Sequence, residues 1–244
     1  MEERMTARNF WVLGGTKGLG FQIASLAIES GNNVAILGRE AETFHVIPPF
    51  DSERFWRIRY DLQDTGLSRV LYRAFEQLPV DVFVWASGIK QRRGFMVAEF
   101  GELDKLLNVN LRGPIHLLSR VVKNARRNRP LHLIVVGTIG QVDLGDNDEI
   151  VTAINAGKSV FAKKISSTLA QEIPGSRVLV VNIPLMDMSD CATASLAAQA
   201  IMDAFEAQGE SGEVFRECNV IQTPERVIVT SDLRWWPNTK KRVI

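Results

Sequence analysis

The stretch "WVLGGTKGLGFQIASLAIE", residues 11–29, constrains this chain more than any other. Apolar residues run directly into a glycine-rich turn, and the turn runs directly into helical spacing. Phe10–Leu13 reads as a strand. In Phe21–Glu29, Ile23, Ala24, Ala27 and Ile28 fall on one helix face, and Gly31 marks the stop. Between strand and helix stand Gly14, Gly18 and Gly20, with the spacing GxxxGxG. Glycine permits the tight turn and lets a ligand approach the backbone. The helix start then offers free N–H groups and positive potential. The order strand, turn, helix predicts a phosphate cradle built from Gly14, Thr16, Lys17, Gly18, Leu19 and Gly20.

The alternation continues along the chain. Strands are predicted over Asn33–Leu37, Trp56–Tyr60, Val80–Ala86, His132–Val136 and Arg177–Ile183. Helices are predicted over Leu67–Leu78, residues 100–127, residues 150–173 and Ala192–Gln208. This order predicts an α/β fold, a doubly wound parallel sheet with helices on both faces, in three layers. Residues 38–55, with Pro48, Pro49 and Asp51, leave little room for a crossover helix. Val214–Val220 and Arg226–Thr230 flank "IQTPE" and read as a terminal β-hairpin, since Thr223-Pro224 favours a turn. No repeat, linker or low-complexity tract divides the chain, so residues 1–244 read as a single domain.

Composition excludes several function classes. Net charge is +1, which provides no field for nucleic acid or an anionic membrane. Arg126, Arg127 and Arg129, and the tail Lys240, Lys241 and Arg242, read as solvated charges. Cys191 and Cys218 have no CxxC or metal-ligand spacing, so free thiols and no metal are expected. No apolar run reaches the roughly 20 residues of a membrane span. The start, "MEERMTARNF", lacks a signal-peptide core. A cytoplasmic protein acting on a small molecule is the expectation.

The glycine turn and later motifs together resemble the short-chain dehydrogenase/reductase family. That family's TGxxxGxG is kept except at Leu13. Asp61-Leu62 stands where the family contacts adenine. "FVWASGI", residues 83–89, resembles the family's LVNNAGI; Gly88 is kept, and Trp85 and Ala86 replace the two asparagines. Ser87 and Gly88 then border the cofactor. "LLNVNLRGPIHLL" places Asn110 at the family's structural and catalytic asparagine, and "VVNIP" keeps Pro184. The resemblance implies a Rossmann-type fold, a nicotinamide cofactor and a homodimer or homotetramer. In "AILGRE", Gly38 takes the place where NAD-binding members carry a carboxylate, and Arg39 follows. Lys17 precedes Gly18. Basic residues at these two places favour NADP(H), because a guanidinium grips a 2′-phosphate bidentately.

Family members reduce carbonyls with asparagine, serine, tyrosine and lysine in that order. The tyrosine acts as general acid and the lysine lowers its pKa and holds the nicotinamide ribose. Asn110 matches the first, and Thr138 keeps a hydroxyl at the serine position. The tyrosine has no counterpart: "DEIVTAINAGKSVFAKKISSTLAQEI", residues 148–173, contains none, and the chain's two tyrosines are Tyr60 and Tyr72. Two registers stay open. One places Ile154 at tyrosine and Lys158 at lysine; the other, supported by "TLAQEI", places Asn155 and Ser159 there. Asp143, Asp146, Asp148 and Glu149 read as helix-capping acids, with a replacement proton donor as the alternative. His116 reads as structural, Lys163 and Lys164 as solvent-facing, and Trp235-Trp236 as core or edge packing. The resulting expectation is an NADPH-dependent oxidoreductase with an atypical proton supply, acting on a small carbonyl, imine or enone. The alternative is a non-catalytic NADPH-binding protein serving as sensor or structural partner.

Overall fold

Each central strand is apolar on both sides, so each must be covered twice. Phe10 and Val12 point to one face of the first strand, Trp11 and Leu13 to the other, and all four are buried. The computed structural model describes residues 7–43, 53–63, 69–125, 128–139, 149–184, 191–222 and 227–230. Its strands are β1 Asn9–Leu13, β2 Asn33–Gly38, β3 Phe55–Arg59, β4 Val82–Trp85, β5 His132–Ile139, β6 Val178–Pro184, β7 Phe215–Gln222 and β8 Val227–Thr230. Its α-helices are α1 Gly18–Glu29, α2 Arg69–Gln77, α3 Phe100–Leu107, α4 Gly113–Asn124, α5 Glu149–Glu172 and α6 Cys191–Ser211.

The sheet order is β3-β2-β1-β4-β5-β6-β7-β8. All neighbours are parallel except β7 and β8, which form the antiparallel C-terminal pair that the turn chemistry predicts. The joining residues 223–226 lie outside the described residues. Helices α1 and α6 cover one face, where Ile23, Ala27, Ile201 and Phe205 pack on Phe10, Val34, Val84 and Val181. Helices α2, α4 and α5 cover the other, where Phe75, Leu118, Ala162 and Leu169 pack on Trp11, Leu37, Trp85 and Val180. The predicted layers are thus present. Between β2 and β3 the described residues hold turns and no helix; residues 44–52 lie outside them. The region predicted as one helix over 100–127 is interrupted. A π-helical turn, Asn108–Arg112, separates α3 from α4.

The amino ends of the strands are tied by polar groups. Asp81, which precedes β4, accepts the Asn9 N–H at 2.9 Å and pairs with Arg129 at 2.8 Å. Arg129 is therefore no free surface charge, contrary to the sequence expectation. The buried carboxylate draws it in, because a buried charge needs a partner. Arg126 and Arg127 lie outside the described residues. Nearby, the guanidinium carbons of Arg8 and Arg177 stand 5.6 Å and 5.4 Å from the Phe205 ring centroid, and the His132 ring meets Phe205 edge-on at 5.7 Å. Glu206 pairs with Arg8 at 2.8 Å.

Burial, then the positive charges of Arg177 and Arg8, push the His132 pKa down from 6.5 to about 3. Neutral His132 therefore supports the fold fully above pH 6.5. Support drains as pH falls from 6.5 toward 3, because the unfolded chain takes up a proton that the folded chain refuses. Between about pH 7.5 and about pH 5, the wild-type protein is expected to lose about 1–2 kcal/mol more unfolding free energy than His132→Gln. Urea denaturation at both pH values measures this, and equal losses refute it.

Candidate active site

The glycine turn sits where it must to hold a ligand. Gly14 has φ +88° and Gly18 φ +56°, conformations that favour glycine. A methyl carbon on Gly14 would stand 2.8 Å from Ser87 Cα, and one on Gly20 would collide with the Gly14 carbonyl oxygen. The end of β1, the start of α1 and the exit of β4 therefore meet backbone to backbone. Lys17 is the extended N-cap residue of α1; no side chain caps the helix, and its first turn has no acidic residue. Its start is open to an anion. Ser87 Oγ beneath it is buried with no hydrogen-bond partner among the described residues.

Lys17 and Arg39 are both exposed and lie at the same end of the sheet. Their preceding neighbours touch: Thr16 Cγ2 would stand 3.3 Å from a methyl carbon on Gly38. Tyr60 N–H donates to the Gly38 carbonyl at 3.1 Å, which brings Asp61 and Leu62 beside that edge. Asp61 Oδ1 accepts the Gln63 N–H at 3.0 Å and so shapes this turn. Gly113, which the motif reading passed over, matters here. A methyl on it would collide with the Leu62 carbonyl oxygen. Its place at the first position of a buried helix was the available signal.

Asn110 lies in the π turn and is 2% exposed. Its Oδ1 accepts the Ile89 N–H at 2.7 Å and its Nδ2 donates to the Ile89 carbonyl at 3.0 Å. Both side-chain groups are thus committed to holding the chain just past Gly88. A methyl carbon on Gly88 would stand 3.3 Å from the same Oδ1. A π turn inside a helix commonly marks a functional position.

Helix α5 presents Val151, Ile154, Asn155, Lys158, Ala162, Ser166 and Leu169 inward. Ile154 packs with Leu106 and Val151 in a small apolar cluster. Lys158 is 4% exposed, whereas Ser159 is half-buried. The inward lysine places its Nζ 5.3 Å from the Trp85 ring centroid. The Trp85 ring meets Phe161 edge-on at 6.5 Å, and Trp85 Nε1 has no hydrogen-bond partner among the described residues. Burial lowers the Lys158 pKa from 10.5 to about 8. Lys163 and Lys164 are exposed, as expected.

Both tyrosines stand away from this cluster. Tyr60 follows β3, three strand spacings from β4, or about 14 Å. Tyr72 is exposed on α2. Thr138 lies in β5 opposite Ile183, and Pro184 in β6 opposite Ile139. Both side chains lie outside the described residues, as do Asp143, Asp146, Asp148, His45, Trp235 and Trp236. The described N-terminal cap of α5 comes from elsewhere in the chain. Gln91 Oε1 accepts the Ile150 N–H at 3.0 Å, and its Nε2 donates to Glu149 at 3.2 Å. Sequence patterns give no sign of a cap 59 positions away.

Comparison with known proteins agrees with this geometry. The family model described as short chain dehydrogenase matches residues 8–200. The 3-oxoacyl-acyl-carrier-protein reductase MabA of Mycobacterium tuberculosis is 25% identical over 168 residues, 68% of this chain. The match spans 64% of that reductase's length. FabG of Chlamydia trachomatis, a reductase of the same description, is 26% identical over 70% of this chain and 69% of its own. A short-chain dehydrogenase structure from Streptomyces avermitilis superposes with a TM-score of 0.72 at 18% identity, covering 87% of this chain and 88% of its own. A 3-oxoacyl-acyl-carrier-protein reductase from Brucella melitensis superposes with a TM-score of 0.71 at 16% identity, covering 88% and 95%.

The glycine contact predicts a sharp contrast between two substitutions. Gly14→Ala, strained in φ and pressed on Ser87, is expected to cost about 2 kcal/mol or more. Gly101→Ala, on α3 with nothing within 4 Å, is expected to gain about 0.5–1 kcal/mol. Urea denaturation of both variants checks this, and a Gly14→Ala protein as stable as wild type refutes it.

Proposed function

The chain belongs to the short-chain dehydrogenase family, and we propose that it uses NADPH to reduce a small carbonyl, imine or enone. The observation that carries this is the uncapped start of α1 under the glycine turn, with Lys17 and Arg39 beside it. The residues fit a dinucleotide. The amides at Gly18–Gly20 would hold a pyrophosphate, and Ser87 Oγ, unpartnered among the described residues, would offer a hydrogen bond at the β4 exit. Lys17 and Arg39 suit a 2′-phosphate, which binds a guanidinium through charge-assisted hydrogen bonds. Asp61 and Leu62 would border the adenine end. When bound, the reduced nicotinamide supplies hydride.

Asn110 holds the loop after Gly88, so its substitution would disturb the floor of this site. The relatives are named as reductases of 3-oxoacyl groups, which favours a carbonyl compound over the other two classes. Proton supply is atypical: Ile154 carries no proton to give, and the Asn155 amide is a very poor acid. The apolar packing of Ile154 also supports a second reading, a non-catalytic NADPH-binding protein.

NADPH and NADH titrations followed by fluorescence test the first step. The wild-type protein is expected to prefer NADPH, and a Lys17→Ala, Arg39→Ala double variant to lose about 10-fold or more of that preference. A variant that keeps the preference removes the assignment. A screen of carbonyls, imines and enones for NADPH oxidation follows. Tight NADPH binding with no turnover selects the second reading.

A further inference from the structure

Among the described residues, five ionisable side chains are buried: Tyr60, the thiol of Cys218, Asp81, His132 and Lys158. Asp81 and His132 lie at the amino ends of β4 and β5 and face Arg129 and Arg177. Lys158 stands alone at the carboxyl end of β4, over the last residue of that strand. Among the described residues no carboxylate pairs with it. Its contact is the face of Trp85, an aromatic ring that favours the charged ammonium. One turn earlier, Ile154 fills the neighbouring position with an apolar side chain. The site therefore holds one buried cation and, among its described side chains, no other group able to give up a proton near neutrality.

We infer that Lys158 is itself the proton donor, its ammonium protonating the oxygen of a carbonyl substrate where the family uses a tyrosine. This rests on the hydride-transfer reading above. As the carbonyl carbon accepts hydride, the π electron pair moves to oxygen. The Nζ–H bond breaks, an O–H bond forms, and the product is an alcohol. The neutral amine then takes a proton from water.

The surroundings suit that role. Charged and titratable groups on the elements packed against α5 are Glu102, Asp104 and Lys105 of α3, Arg112 of the π turn, the neutral His132 of β5, and Arg216, Glu217 and Cys218 of β7. None of them accounts for the lowered pKa; burial alone does, bringing it to about 8. An acid of that strength is mostly protonated at neutral pH and close enough to it to donate a proton. The indole face favours the ammonium form without supplying the counter-ion that a carboxylate would.

Two measurements test this. In the cofactor-free protein labelled with ¹³C-lysine, the Lys158 Cε signal, assigned by its loss in Lys158→Met, is expected to titrate near 8. Titration at about 10 or above, as for an exposed lysine, overturns the inference. With NADPH, a ketone and a preformed cyclic iminium are compared as substrates, because the iminium needs no proton. Lys158→Met is expected to lose about 10²–10⁴-fold more rate on the ketone than on the iminium. Wild-type kcat on the ketone is expected to fall above a break near pH 8, and Lys158→Arg to lack that break. Equal losses on both substrates, or a break that survives in Lys158→Arg, overturn the inference and leave the hydride-transfer reading standing. A wild-type protein that turns over neither substrate overturns both.

Discussion

The approach of one backbone to another at Gly14, Gly20 and Ser87 is the constraint on which the rest depends. Three elements converge there, and a single added methyl group at either glycine would force them apart. The convergence fixes where α1 begins relative to β1. It also sets the exit of β4 directly against the turn. The two hydrogen bonds from Asn110 to Ile89 hold the chain just beyond that exit. Gly113 does the same on the other side, letting Leu62 press against the first turn of α4. Each of these is a close contact that only a small residue or a buried amide satisfies.

The two ends of the sheet are treated differently. At the amino ends, charges are answered: Asp81 by Arg129 and the Asn9 N–H, Arg8 by Glu206, and His132 by remaining neutral. At the carboxyl end of β4, groups are left open: among the described residues Ser87 Oγ and Trp85 Nε1 have no hydrogen-bond partner and Lys158 has no counter-ion. An unpartnered buried polar group costs about 1–3 kcal/mol. The carboxyl ends of the strands are where ligand sites of open α/β sheets lie.

Trp85 links the end of β4 to α5. It stands at the first of the two positions where the resemblance expects asparagine, and it turns its ring toward Lys158 and Phe161. Replacing an amide by an indole exchanges directional hydrogen bonds for a broad π face. That face tolerates a cation and adds apolar burial around it. The substitution at Trp85 and the apolar Ile154 therefore belong together: both lower the polarity around one amine.

The sequence alone determined the layers, the order of strands and helices along the chain, the C-terminal strand pair and the glycine turn, whereas the order of strands within the sheet came from the tertiary structure. The former follow from local rules: alternation of apolar residues, spacing of glycines, and turn chemistry at Thr223-Pro224. It also determined that α5 carries no tyrosine, because that is a matter of composition. It could not determine which way the start of α5 turns, since Ile154, Asn155, Lys158 and Ser159 fit two overlapping registers of one helix. Tertiary packing decided only which of these side chains turn inward: Ile154, Asn155 and Lys158 are buried and Ser159 is half-buried, with Lys158 against Trp85, a residue 73 positions earlier whose neighbourhood no local pattern encodes. The cap from Gln91 and the pairing of Arg129 with Asp81 were decided the same way. In each case the partner is brought close only when the strands align, and burial then sets what the side chain does.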